Sequence, residues 1–131
     1  MIVWLTGNSG AGKTTQARKM MREGDILLDG DELRECWPEL GFSSADRWIS
    51  NIRTAHLAKM LEGQGFRVYV ATICPYRMLR DVVHGITGCR FLYLGGGQPN
   101  SEEYPYEPPT KKERLGSFLG VTVKMKAQVR V

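Results

Sequence analysis

The eight residues GNSGAGKT, Gly7 to Thr14, constrain this chain more than any other stretch. They satisfy G-x-x-x-x-G-K-[ST], and both flanks fit. MIVWLT before them is a short apolar run that reads as a buried strand, and KTTQARKMMREG after them is rich in helix formers and closes on Gly24. A strand, a glycine loop and a helix N-terminus present successive backbone N–H groups and a favourable partial charge to an anion. A chance Gly-rich turn is the bland alternative, and the flanks argue against it. The expectation is a phosphate cradle for ATP built from Gly7, Asn8, Ser9, Gly10, Ala11, Gly12, Lys13, Thr14 and Thr15. In it Lys13 reaches the β- and γ-phosphates, and the Thr14 hydroxyl holds Mg²⁺.

The chain that follows alternates between the two periodicities. DILLD reads as a second strand, DELRECW as a short helix stopped by Pro38, and SSADRWISNIRTAHLAKMLEGQG as a long helix. Ser43 or Ser44 caps that helix, Trp48, Ile52, Ala55, Leu57 and Leu61 form its apolar stripe, and Gly63 and Gly65 end it. FRVYVATI is a third strand, YRMLRDVVHG a helix and CRFLYL a fourth strand. This order predicts an α/β domain, a three-layer P-loop NTPase-type fold with a mainly parallel sheet. Ligands in such sheets bind at the carboxyl ends of the strands. The Gly7 loop, Asp29–Asp31 and Thr72–Pro75 all fall there.

After Leu94 the character changes. Residues 95–114 are dense in Gly and Pro and read as loop, and VTVKMKAQVRV alternates, with Val121, Val123, Met125, Ala127, Val129 and Val131 on one face. A strand or hairpin is expected over 115–131. The whole of 1–131 is expected to be one domain, with 1–94 as its α/β core.

Composition excludes several classes. With 42% hydrophobic and 24% charged residues the chain is neither disordered nor a membrane protein by composition. No apolar run is long enough to span a bilayer, and the N-terminus lacks the basic region of a signal peptide. Three cysteines without short regular spacing argue against a disulfide framework or a zinc site and for reduced thiols in the cytoplasm. The net charge of +4 suits an anionic ligand without demanding nucleic acid.

LLDGDELR, Leu27 to Arg34, raises a sharper question. Two carboxylates one glycine apart, followed by a guanidinium, suit a kinase. Such an enzyme needs one carboxylate to hold the Mg²⁺ shell and one to orient or deprotonate a hydroxyl, and Asp29 and Asp31, one at each end of DGD, serve both roles between them. Arg34 adds an anion-binding fork. The competing reading is a helix N-cap at Asp31 followed by a solvated arginine. The chain has no guanine-reading N-K-x-D block, so a small-molecule kinase is the leading subclass.

Four blocks, VWLTGNSGAGKTT, LLDGDELR, LGFSSADRWISNIR and VATICPYRMLRD, follow one another over residues 2 to 81 and resemble the adenylylsulfate kinase (APS kinase) family. YPYEPP at 104–109 resembles the family's Tyr-Glu-x-Pro segment. The resemblance implies transfer of the ATP γ-phosphate to the 3′-hydroxyl of adenosine 5′-phosphosulfate. It assigns Lys13, Asp29 and Asp31 to chemistry, Thr14 and Asp29 to Mg²⁺, and Arg34, Phe42, Arg47, Asn51, Ile73, Pro75 and Tyr76 to the acceptor nucleotide. Phe42 would stack on its adenine. The competing structural readings are a core Phe42 and an Arg47 on a solvated helix face.

The chain departs from the family in three places. Cys74 stands where many relatives have serine, some of them phosphorylated, and reads here as a small buried apolar residue. The chain starts at its first strand, without the family's preceding segment. Third, LYLGGGQPNSEEYPYEPP joins the fourth strand almost directly to the later segment, where the family inserts an Arg-Asp-Pro-Lys-Gly-Leu-Tyr block and a basic lid. No motif marks Lys111, Lys112 or Arg114 as a substitute. Besides the adenylylsulfate reading, two others stand: a P-loop kinase for another hydroxyl, such as a modified nucleoside or polynucleotide end, and a nucleotide-binding protein with weak catalysis. The partners expected are a nucleotide, with nucleic acid less favoured, no membrane, and a second copy of the chain as a homodimer.

Overall fold

The structure, a computed structural model, describes residues 1–124 and the side chains of residues 1–120. Its first strand, β1 (Ile2–Thr6), is buried along its whole length. Alternate residues enter two different cores. Ile2 and Trp4 pack with Leu28, Val70, Phe91 and the helical residues Ala55, Ala58, Leu79 and Val83; Val3 and Leu5 pack with Ala17, Tyr69 and Leu92. A strand covered on both faces must be apolar at every position, which is why MIVWLT carries no alternation.

The two covers are α1 (Lys13–Met20) on one face and α3 (Ser44–Gly63) with α4 (Arg77–Thr87) on the other. Between them lies a parallel five-stranded sheet. Beside β1 it contains β2 (Ile26–Asp29), β3 (Val68–Ala71), β4 (Arg90–Gly95) and β5 (Phe118–Lys124), in the order β2-β3-β1-β4-β5. Register brings three strand ends level. Ala71 pairs with Leu5 on one side and with Asp29 on the other. The loops after Thr6, Asp29 and Ala71 therefore leave the sheet at one edge.

Several elements differ from expectation at their ends. The first helix stops at Met20 rather than running to Gly24, because the Asp25 carboxylate captures the Arg22 N–H at 2.9 Å and turns the chain. α4 continues past Gly85 to Thr87 and is closed by Gly88 in the left-handed region. Of the two serines offered as the cap of α3, Ser43 serves, accepting from the Asp46 N–H at 3.1 Å. β5 pairs parallel to β4, so over 118–124 the C-terminal segment is a strand and not a hairpin. Met125, Ala127, Val129 and Val131 lie outside the described residues.

The expected loop over 95–114 holds a helix at its end, α5 (Lys111–Gly116). Its start signal is Thr110-Lys-Lys-Glu113, a capping box in which the Thr110 hydroxyl accepts from the Glu113 N–H and the Glu113 carboxylate accepts from the Thr110 N–H. Pro108, Pro109 and the glycines upstream masked that signal.

The segment between β4 and α5 is fastened to the sheet edge by a buried arginine. Arg80, 1% exposed, donates to Glu113 at 2.6 Å and to the carbonyls of Cys74 at 2.9 Å and Glu107 at 2.6 Å. The Glu107 N–H in turn donates to Pro75 O at 2.7 Å. Thr6 gives its single hydroxyl proton to Ile73 O at 2.6 Å, so the Tyr106 hydroxyl is the donor in their 2.9 Å contact. Residues 104–113 thus brace the Ile73–Pro75 turn from behind. In that turn Cys74 has φ +46°. Its thiol is fully buried, and burial pushes its pKa far above the ordinary value. A thiol so held is no nucleophile, which agrees with Cys74 as a small core residue.

Candidate active site

The glycine loop closes on itself before any ligand enters. Gly10 and Gly12 both adopt positive φ, Ala11 N–H donates to Asn8 O at 3.1 Å, and no side chain caps α1. The helix N-terminus is left for an outside acceptor. Lys13, its first residue, folds back and donates Nζ to Asn8 O at 3.2 Å. Burial pulls the Lys13 pKa down to about 8, against the opposing pull of Asp31 and Asp29. A desolvated ammonium facing carboxylates is a cation poised for an anion.

Thr14 lies one residue on and donates its hydroxyl to Asp29 Oδ2 at 3.2 Å. The other Asp29 oxygen accepts from the Asp31 N–H at 3.0 Å, which makes Asp29 the N-cap of α2 (Gly30–Cys36). The sequence alternative that placed the cap at Asp31 is therefore corrected: the cap lies two residues earlier, at Asp29, and Asp31 sits in the first turn of the helix with its carboxylate exposed. Thr14 and Asp29 offer two hard oxygen donors side by side. Mg²⁺ keeps waters and phosphate oxygens and takes one or two protein oxygens, so this pair fits it. Among the described residues no group of three or more His, Cys, Asp or Glu side chains could hold a metal ion.

Facing the glycine loop is a cluster of cations and one aromatic ring. Arg34 donates to Gly41 O at 3.0 Å and lays its guanidinium 4.0 Å from the centroid of Phe42. Arg47 donates to Phe42 O at 2.8 Å and lies 5.6 Å from the same ring. Burial, and then the neighbouring Arg47 charge, lower the Arg34 pKa. Two guanidinium groups crowded at one cleft are relieved by an anion. Neither structural alternative holds at these positions: Phe42 is 68% exposed rather than core, and Arg47 is 7% exposed rather than solvated.

Asn51, one turn beyond Arg47, is tied by a buried chain of hydrogen bonds. Trp4 Nε1 donates to Thr72 Oγ1 at 2.9 Å, Thr72 donates to Asn51 Oδ1 at 2.7 Å, and Asn51 Nδ2 donates to Arg47 O at 2.8 Å.

These groups meet in one cleft of about 240 Å³. Of the expected residues, Ser9, Gly10, Gly12, Lys13, Thr14, Thr15, Asp29 and Asp31 line it from the loop side, and Arg34, Arg47, Asn51, Ile73 and Pro75 from the other. Five do not line it. Gly7, Asn8 and Ala11 are buried behind the loop, Phe42 stands on the Arg34 guanidinium outside it, and Tyr76 caps α4 and packs on the core. Four lining residues had been given no site role, Gly30, Ser50, Ala71 and Thr72. Ser50 could have been found from its place one residue before Asn51 on the inward face of α3, and Thr72 from its place just past the end of β3. Among the described residues none after Pro75 lines the cleft, Lys111, Lys112 and Arg114 included.

A family model described as adenylylsulphate kinase matches residues 1–94. The chain belongs to the adenylylsulphate kinase family. The match ends where β4 gives way to the Gly-Gly-Gly loop. A probable adenylyl-sulfate kinase of Archaeoglobus fulgidus is 38% identical over 61% of this chain and 56% of its own length. An adenylyl-sulfate kinase of Burkholderia ambifaria is 45% identical over 61% of this chain and 48% of its own. The chain thus spans about half the length of these relatives. Among solved structures, an APS kinase of Mycobacterium tuberculosis in complex with AMPPNP and APS superposes with a TM-score of 0.61 at 38% identity, over 72% of this chain and 60% of that one. No helix among the described residues is long and apolar enough to cross a membrane.

Proposed function

We propose that this family member is an ATP-dependent phosphotransferase acting on a hydroxyl, and that its acceptor is the 3′-hydroxyl of adenosine 5′-phosphosulfate. The observation that carries the reading is the single cleft in which Lys13, Thr14, Asp29 and Asp31 face Arg34, Arg47 and Asn51. The relative solved with AMPPNP and APS supports the pairing of a triphosphate donor with a sulfated acceptor.

In this reading the glycine loop and the N-terminus of α1 bind the β- and γ-phosphates through backbone N–H groups. Lys13 neutralises charge on the transferring phosphoryl group. Thr14 and Asp29 would hold Mg²⁺, which would supply further neutralisation of phosphate charge. Asp31, whose carboxylate is free of capping duty, takes the proton of the attacking hydroxyl. The hydroxyl oxygen then bonds to the γ-phosphorus as the bond to the bridging oxygen of ADP breaks. Arg34 and Arg47 hold the sulfate-bearing 5′ end, and Phe42 offers its free face to the adenine.

The open side of the cleft favours a second reading, another hydroxyl acceptor such as a modified nucleoside or the bulkier end of a polynucleotide. Titration of adenylylsulfate into the protein saturated with AMPPNP separates the two. Saturable binding is expected. Absence of binding at millimolar concentration rules adenylylsulfate out, and transfer of label from γ-labelled ATP to a panel of nucleosides and oligonucleotides then identifies the acceptor.

A further inference from the structure

Residues 96–104 do not line the cleft, yet they are bonded to the glycine loop itself. Gln98 N–H donates to Ser9 O at 2.8 Å. Asn8 Nδ2 donates back to Gln98 O at 2.8 Å and to Tyr104 O at 2.9 Å, while Asn8 Oδ1 accepts from Ser9 N–H at 2.8 Å. The approach is so close that a Cβ on Gly97 would lie 2.6 Å from Asn8 O and 2.8 Å from Ser9 O. On the other flank a Cβ on Gly7 would lie 2.4 Å from Leu94 O. The phosphate loop is therefore gripped between the end of β4 and the segment that follows it, with a glycine at each contact.

Asn8 faces both ways. Its side chain, 5% exposed as a residue, spends both amide protons on the 98–104 segment, and its carbonyl accepts from Lys13 Nζ at 3.2 Å and from Ala11 N–H at 3.1 Å. We infer that residues 97–104 are a fixed latch that positions the phosphate loop and Lys13 through Asn8, with Asn8 and Gly97 as positioning residues for triphosphate binding. The inference rests on the reading of Gly7–Thr15 as the ATP site. It gives the short connection after β4 a task on the donor side of the cleft, from behind the loop rather than over the substrates.

The latch engages the backbone of Gln98, not its side chain, and that separates it from a general loss of packing. In calorimetric titrations of the full chain with AMPPNP and Mg²⁺, Asn8→Ala is expected to weaken binding about tenfold, the effect of two lost hydrogen bonds. Gly97→Ala is expected to weaken it at least as much, and Gln98→Ala to leave it within about twofold, since its backbone bonds persist. Adenylylsulfate affinity should hold constant in all three. A merely structural asparagine would, when replaced, weaken AMPPNP and adenylylsulfate binding alike, whereas loss of the latch weakens AMPPNP binding alone. Folded Asn8→Ala that binds AMPPNP like the wild type overturns the latch while leaving the kinase reading intact. Should Gly97→Ala fail to fold, Asn8→Ala and Gln98→Ala still decide. Wild-type protein that binds no AMPPNP overturns the ATP-site reading and the latch with it.

Discussion

The two walls of the cleft are made of different material. The donor wall is mostly backbone: a glycine loop, a helix N-terminus and one lysine, with Gly7 and Gly97 admitting the chain on either flank. The acceptor wall is mostly side chain: Arg34, Arg47 and Asn51, brought from α2 and α3, with Phe42 from the loop between them stacked on Arg34 just outside the cleft. Backbone N–H groups recognise phosphate whatever it is attached to, so the donor wall suits a generic triphosphate. Side chains fix shape and charge, so the proposed choice of acceptor resides in the second wall. Removing a side chain should act sharply on one substrate and leave the other alone, and the variants below exploit that.

The largest effect is expected at the one side chain on which the donor wall depends. Lys13→Ala should lower turnover on the order of 10³-fold, the upper range for loss of one group that stabilises transition-state charge. The assay is label transfer from γ-labelled ATP to adenylylsulfate. Unchanged turnover would take the glycine loop out of the mechanism.

Asp31 stands at the boundary between the walls. Asp31→Asn should lower kcat on the order of 10²-fold, as for loss of a general base, with AMPPNP affinity unchanged. A variant that loses AMPPNP binding and keeps kcat would assign Asp31 to the donor wall and break the division.

How far this was legible depends on which physics carried each part. The glycine loop, the strands and α3 were legible because short-range patterns determine them. MIVWL is apolar at every position, and G-x-x-x-x-G-K-T needs only its own residues. The cap was harder. Asp29 and Asp31 both suit an N-cap, and only the end of β2 at Asp29 decides between them. Least legible was the service of 96–113. Arg80 reads as one more helix arginine until the fold brings Glu113 and the carbonyls of Cys74 and Glu107 to it. Asn8 reads as a loop residue of the phosphate cradle, whereas its amide faces Gln98 and Tyr104, 90 and 96 positions away in the chain. Partners at such separation leave no local pattern.

On the acceptor wall, Phe42→Ala should raise the KM for adenylylsulfate by the loss of base stacking, roughly 1–3 kcal/mol or about 5- to 150-fold. Arg47→Ala should also raise it, since an anion contact is lost. The ATP KM should stay nearly constant in both. A parallel rise in both KM values would mean that the walls are coupled, through Arg34 or through closure of the cleft.

The smallest effect separates the walls by pH rather than by mutation. With its pKa pulled down to about 8, Lys13 in the free protein loses its proton within the neutral-to-alkaline range. Phosphate favours the ammonium form, so the sign is fixed. AMPPNP affinity should be level below about pH 7 and fall through pH 8, by about tenfold between pH 7 and pH 9 as the protonated fraction drops from about 90% to about 10%. Binding above pH 8 should take up a proton, visible in calorimetry as a heat that depends on the ionisation enthalpy of the buffer. Because the folded-state value lies below the unfolded one, the same group costs stability below pH 8, and that cost is relieved as the pH rises towards 10.5. Guanidinium groups stay charged throughout this range, so adenylylsulfate affinity should not follow the curve. Lys13→Arg should flatten the AMPPNP curve for the same reason. An AMPPNP affinity that is level from pH 7 to pH 9 in the wild type would show that the ammonium is not what the donor wall uses.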